Sequence, residues 1–194
     1  MNKLFGFFAM GVLMLTSCSS AEQSAEQPWI VDRFDDIKVI RYEVPGFVNL
    51  TLEEKELIYY LAEAAKCGRD ILFDQNFKYN LAVRRTLESI YTASEVREGD
   101  EFAAFEKYLK KVWFANGIHH HYSNDKFKAE FSEGWFREQL AKYINDENRQ
   151  IEDDLLCQII FDETLYASRL NRSEGVDVVV ASAGNYYEGV TQAE

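Results

Sequence analysis

No histidine occurs outside positions 119, 120 and 121, so a closed imidazole metal site would have no further ring to draw on from elsewhere. Basic residues are also short: 21 Lys and Arg against 33 Asp and Glu leave a formal charge of −12. That field repels phosphate and sets nucleic acid aside as a partner. Cysteine is scarce, with only Cys18, Cys67 and Cys157, and no two stand close enough for a zinc-ligand pair. Past residue 15 there is no apolar run of membrane-spanning length and no internal repeat. Nucleophile elbow, P-loop, G-x-G-x-x-G, H-E-x-x-H and paired-Cys motifs are all missing.

What is present begins with an export signal. Lys3 forms a short positive region, and Leu4 to Leu15 is apolar but too short for a stable bilayer span. The run ends in Leu15-Thr16-Ser17-Cys18, which resembles a bacterial lipobox. Residues 1–17 are thus expected to be a signal peptide, with Cys18 lipid-modified and anchoring the protein in the cell envelope, at the outer membrane or facing the periplasm. The mature net charge is then −13, because Lys3 leaves with the signal. Residues 18–33 are expected to be a flexible tether, and 34–194 the folded part.

Helices dominate that part. Ile37 to Val44 is β-branched and alternating, which predicts a strand closed by Pro45-Gly46. Thr51-Leu52-Glu53-Glu54 is a capping box and starts a helix whose Leu57, Ile58, Leu61, Ala64 and Ala65 share one face, up to Gly68. A second helical run is expected from Asp70 to Thr92, burying Ile71, Leu72, Phe77, Leu81, Leu87, Ile90 and Tyr91. Its Asp70, Asp74 and Glu88 read as surface carboxylates paired with neighbouring Arg and Lys. Glu101 to Phe114 carries a stripe of Phe102, Phe105, Tyr108, Leu109, Val112 and Trp113. Two shorter helices follow, at 131–144 and 150–166, and Val176 to Ala181 reads as a covered strand. Cys67 and Cys157 fall within helical patterns and are expected to be buried free thiols. The final Thr191-Gln192-Ala193-Glu194 is another capping box. A cap with no helix after it implies an N-terminal piece of a longer protein, with apolar surface left exposed and poor solubility.

Chemistry concentrates in Trp113 to Phe127, where a helix breaks at Asn116-Gly117 and runs into the three histidines. Three readings stand. On an extended chain His119 and His121 would face one way and could chelate a metal together. The segment could be a plain surface turn, or a loop that contacts substrate through hydrogen bonds from its imidazoles.

Four separated blocks carry a family resemblance. Arg41-Tyr42-Glu43-Val44-Pro45-Gly46-Phe47 comes first. Leu57-Ile58-Tyr59-Tyr60-Leu61 follows with Cys67-Gly68-Arg69-Asp70-Ile71, then Asn116-Gly117-Ile118-His119-His120-His121-Tyr122-Ser123, then Asn185-Tyr186-Tyr187-Glu188-Gly189-Val190-Thr191. In that order they resemble the N-terminal region of Bacteroides-type dipeptidyl peptidase III, over most of residues 34–194. The resemblance implies an α+β, predominantly α-helical fold, with a few strands near 37–44 and 176–181, as the non-zinc lobe of a two-lobed exopeptidase. That enzyme class releases dipeptides from oligopeptide N-termini, using zinc held by an H-E-x-x-G-H helix and a further Glu. None of that motif is in this sequence, so no catalytic residue and no metal ligand is assigned here. The zinc would be bound by residues outside this chain, which alone would be inactive.

What the resemblance carries over is the wall of a peptide cleft. Tyr122 stands where other members place a cleft aromatic, and Asn116, His119, His120 and His121 accompany it as substrate-binding candidates. His119 to His121 replace polar residues of the other members. The expected partners are therefore an oligopeptide substrate and, through Cys18, a membrane. A free-standing exported lipoprotein that binds peptide or glycan through this same loop is the alternative.

Overall fold

The computed structural model describes residues 29–194. The signal expected at 1–17, the lipidation expected at Cys18 and the expected tether as far as Pro28 lie outside the described residues. Among the described residues the fold is about half helix with one small sheet, which makes it α+β and mostly helical. No helix among them is long and apolar enough to cross a membrane.

Strand β1 (Ile30–Phe34) pairs antiparallel with β2 (Ile37–Ile40) around a tight turn at Asp35, whose φ of 51° is left-handed. Residues 30–33, expected to belong to the tether, are instead part of β1. Ile30, Asp32 and Phe34 alternate onto one side. Lys110 pairs with Asp32 at 3.1 Å, Lys111 pairs with Asp35, and Phe34 meets Phe114 edge to face. The strand expected over 37–44 stops at Ile40. Pro45 then opens a 3₁₀ turn (Pro45–Asn49), where its fixed φ suits the first position and its missing N–H costs nothing.

Helix α1 (Leu52–Cys67) begins as the capping box predicts: the Thr51 amide donates to Glu54 Oε2 at 2.8 Å and the Glu54 amide to Thr51 Oγ1 at 3.3 Å. Its apolar face, however, does not enter the core. No residue of α1 is buried, Leu57, Ile58 and Leu61 stand open, and Cys67 is exposed rather than buried.

The helical run expected over 70–92 is two helices, α2 (Arg69–Asn76) and α3 (Asn80–Ala93), broken at Phe77, whose backbone is extended. Core packing outweighs helix propensity here. Phe77 swings inward against the rings of His119, Tyr79 and Tyr166, and Asn80 Nδ2 donates to the Phe73 carbonyl at 3.0 Å. The inward face of α2 is consequently Phe73, while Ile71 and Leu72 are exposed. Asp70 pairs with Arg84 at 2.8 Å and Arg85 at 3.1 Å, as surface pairing predicts.

Helix α4 (Asp100–Ala115) is the centre of the core. Phe102, Phe105, Tyr108, Leu109 and Val112 recur at helical spacing and are buried. Trp113 lies at the margin and donates from Nε1 to Glu88 at 2.8 Å. Phe105 packs with Phe102, Phe131, Trp135 and Phe136, which joins α4 to α5 (Glu133–Tyr143). Helix α6 (Asp153–Phe161) buries Leu156, Cys157, Ile159 and Ile160 on the far side. Val176 to Ala181 is not a strand. Asp177 accepts from the amides of Val179 (2.9 Å) and Val180 (3.1 Å), capping the single turn α7 (Val178–Ala181). No other strand among the described residues lies there to pair with it, so an Asx cap decides the conformation against β propensity.

Candidate functional site

The loop after α4 is built by its backbone before its histidines. Asn116 ends α4 in the left-handed region (φ 54°, ψ 46°), and its carbonyl accepts from Asn76 Nδ2 at 3.0 Å. Gly117 follows at φ 146°, pressed against buried Asn80 so closely that a Cβ would lie 2.2 Å from Asn80 Nδ2. Asn80 Oδ1 accepts the Ile118 amide at 3.1 Å, so one carboxamide ties α2, its own helix and the loop together.

His119 then points into the core. It is 2% exposed, and its Nε2 lies 2.7 Å from the Tyr166 carbonyl, an acceptor that fixes the proton on that nitrogen. Its Nδ1 is buried with no partner. Burial, reinforced by the nearby Lys126 and Arg169 cations, pulls its pKa down to about 4 against the opposing pull of the Tyr166 carbonyl. His120 turns the other way: its Nδ1 accepts the amides of Tyr122 and Ser123, each at 3.2 Å. His121 packs between the rings of Phe114, His120 and Tyr122, with centroids 5.0, 4.5 and 4.2 Å away. Burial and the neighbouring His120 hold its pKa below the ordinary histidine value.

These positions remove the chelating reading of His119 and His121, one of the three left open by the sequence, because one ring is spent on a core carbonyl while the other packs among outer aromatic rings. Among the described residues no three of His, Cys, Asp or Glu gather as metal ligands. The described residues therefore do not fit zinc. His119, expected as a substrate contact, is instead sealed in the core and presents no ring at the loop surface. The loop presents Tyr122, 83% exposed at the tip of the aromatic cluster, with His120 and His121 behind it. Asn116 offers its backbone to Asn76 and sits half-buried beside Gly68 and Arg69, at the edge of a groove along α1 and α2.

The residues that hold this site carry no spacing signal. Arg169, 45 positions beyond Asn124, donates from Nε (3.0 Å) and Nη2 (2.8 Å) to Asn124 Oδ1, and reaches Asn76 Oδ1 at 3.3 Å and the His121 carbonyl at 3.4 Å. Lys126 Nζ donates to the carbonyls of Ile159 (3.1 Å), Leu165 (2.6 Å) and Asp162, closing the C-terminal end of α6. Burial lowers its pKa. Asn185 donates from its amide to the Gln75 carbonyl at 2.9 Å, which brings the fourth resembling block against α2. Three blocks distant in sequence, around residues 67–71, 116–123 and 185–191, thus meet around one short helix. Compared with known protein families and with curated proteins, the chain matches none.

Proposed function

We propose that this chain is the N-terminal, non-zinc part of a dipeptidyl peptidase III-like zinc exopeptidase, and that the loop from Asn116 to Asp125 forms one wall of its peptide cleft. The supporting observation is the presentation of Tyr122. His120 accepts two amides at the tip, Arg169 clamps the base, and the phenol ring is left open where a substrate could stack on it. A rigid loop with a projecting aromatic suits recognition better than a plain turn does. In this reading the chain supplies binding surface and orientation, while the metal and the general base that act on the peptide carbonyl come from residues outside it. The anchor at Cys18 holds the enzyme to the cell envelope.

Two measurements test it. The chain with added zinc should release nothing from a dipeptidyl-arylamide, and turnover would overturn the division of labour. The chain should bind a short oligopeptide, with Tyr122→Ala abolishing that binding; unchanged binding by the variant would remove the loop from the cleft. The adjoining His121 and Tyr122 rings, tilted 46° to each other, also favour a second reading, a free-standing lipoprotein that binds glycan on this aromatic surface. Tyr122-dependent binding of an oligosaccharide but not of peptides would select it.

A further inference from the structure

Beside the histidine loop, a cleft of about 400 Å³ opens between Arg169, the turn α7 and the aromatic side chains of Tyr186 and Tyr187. That volume lies within the range of small-molecule sites. Its floor is a fixed cation. The Arg169 backbone is pinned on both sides, its amide donating to the Asn124 carbonyl at 2.8 Å and its carbonyl accepting from Gly184 at 3.1 Å. Its guanidinium donates to oxygens of Asn124, Asn76 and His121, all of them neutral. Those contacts use four of the five N–H groups a guanidinium carries and leave one on Nη1. Among the described residues no carboxylate pairs with it, in a chain with twelve more acidic than basic residues. The contrast with Arg84, Arg137 and Arg149, each paired with an aspartate, is direct. The same lining carries apolar side chains, Leu170, Val178 and Val179.

We propose that this cleft is a ligand site for a carboxylate carrying a small apolar body, the chemistry of a hydrophobic amino acid or of a peptide's C-terminal residue. The immobilised guanidinium supplies charge and a free N–H with little ordering cost, since its side chain is already held. Leu170, Val178 and Val179 supply the apolar contact. A phosphate would find one open donor and an apolar wall, whereas a carboxylate with an aliphatic side chain satisfies both. The inference is independent of the peptidase reading, because neither zinc nor Tyr122 takes part.

The test is calorimetric or NMR titration of the chain with N-acetyl-leucine, N-acetyl-leucine amide, and a leucine-terminated tripeptide as free acid and as amide. Binding of the acids with a Kd on the order of 1 mM is expected, with the amides at least tenfold weaker. A tripeptide acid tighter than N-acetyl-leucine identifies a peptide C-terminus as the source, and equal affinity identifies a free amino acid; both support the site. Arg169→Gln should weaken acid binding at least tenfold. Because that change also loosens the loop, Val179→Trp, which fills the cleft from α7 and leaves Arg169 in place, should abolish binding with an unchanged circular dichroism spectrum. Acids and amides binding alike, acid binding that survives Val179→Trp, or no acid binding at about 20 mM would overturn the proposal. Loss of oligopeptide binding in Tyr122→Ala with acid binding intact would separate this site from the loop's.

Discussion

The His119 ring and the Tyr166 carbonyl, 2.7 Å apart, join the histidine loop to the segment that follows α6. The bond requires the proton on Nε2, and the buried Nδ1 has no acceptor for a second one. Protonation therefore opposes the fold, and the pKa near 4 lies below the ordinary 6.5. Between those values the unfolded chain binds the extra proton and the folded chain does not, so stability is full above about pH 6.5 and is lost as pH falls to about 4. The loss amounts to roughly 3 kcal/mol. Asp32, Asp35 and Asp70, held low chiefly by bonds from Lys110, Lys111 and Arg84, lose their contributions only as pH falls below the carboxylate range. Urea unfolding at steps from pH 7 to pH 4 should show the decline, and His119→Gln should flatten it. An equal slope in both proteins would assign the titration elsewhere.

Gly117 and Asn80 are expected to be coupled. Any side chain at 117 meets the Asn80 carboxamide and must also adopt φ 146°. Displacing that carboxamide strands the Phe73 carbonyl and the Ile118 amide. Gly117→Ala should cost about 3 kcal/mol. Asn80→Ala should cost about 2 kcal/mol, and the double variant clearly less than their sum, because the clash disappears with the carboxamide. Strict additivity in chemical denaturation would show that the two positions do not communicate.

Lys126 is a structural cation despite lying beside the candidate site. Its ammonium holds three carbonyls at the end of α6, where helix carbonyls lack intrahelical partners. Lys126→Met keeps the stem and removes every donor, so it should cost about 2 kcal/mol while leaving ligand binding to the loop unchanged once the protein is folded. A variant as stable as the parent would mean that water replaces the ammonium without loss.

The elements that could be read in the sequence are those whose signals are local. The capping box at Thr51 and the stripe on α4 each lie within a few turns of chain, and both fold as their spacing says. Where the sequence misleads, a distant or competing contact decides. The break at Phe77 needs the rings of His119 and Tyr166, some 40 to 90 positions away, and the turn at Val178 follows from an aspartate cap overriding a valine run. The histidines drew attention by composition, yet the loop's shape comes from Asn76, Asn80 and Arg169. Amides and a single arginine at such separations form no motif that spacing can detect.

Tyr122 offers a clean separation of binding from folding. Its ring is 83% exposed and makes no hydrogen bond through its hydroxyl among the described residues, so Tyr122→Ala should change stability by less than about 0.5 kcal/mol. Peptide binding should fall at least tenfold, and Tyr122→Phe should retain it, because the stacking face survives. A phenylalanine variant as weak as alanine would shift the interaction from the ring to the hydroxyl.

The last prediction concerns α1, whose apolar stripe faces solvent, with Leu57 59% and Leu61 60% exposed. Because this face buries nothing, its leucines contribute apolar area to self-association without contributing to the fold. Leu57→Glu with Leu61→Lys places opposite charges one helical turn apart in the favourable order, which adds a few tenths of a kcal/mol to α1. The double variant should stay monodisperse in light scattering at concentrations where the parent aggregates, with a thermal midpoint at least as high. A lowered midpoint, or a variant that no longer folds, would mean that the α1 stripe is packed after all.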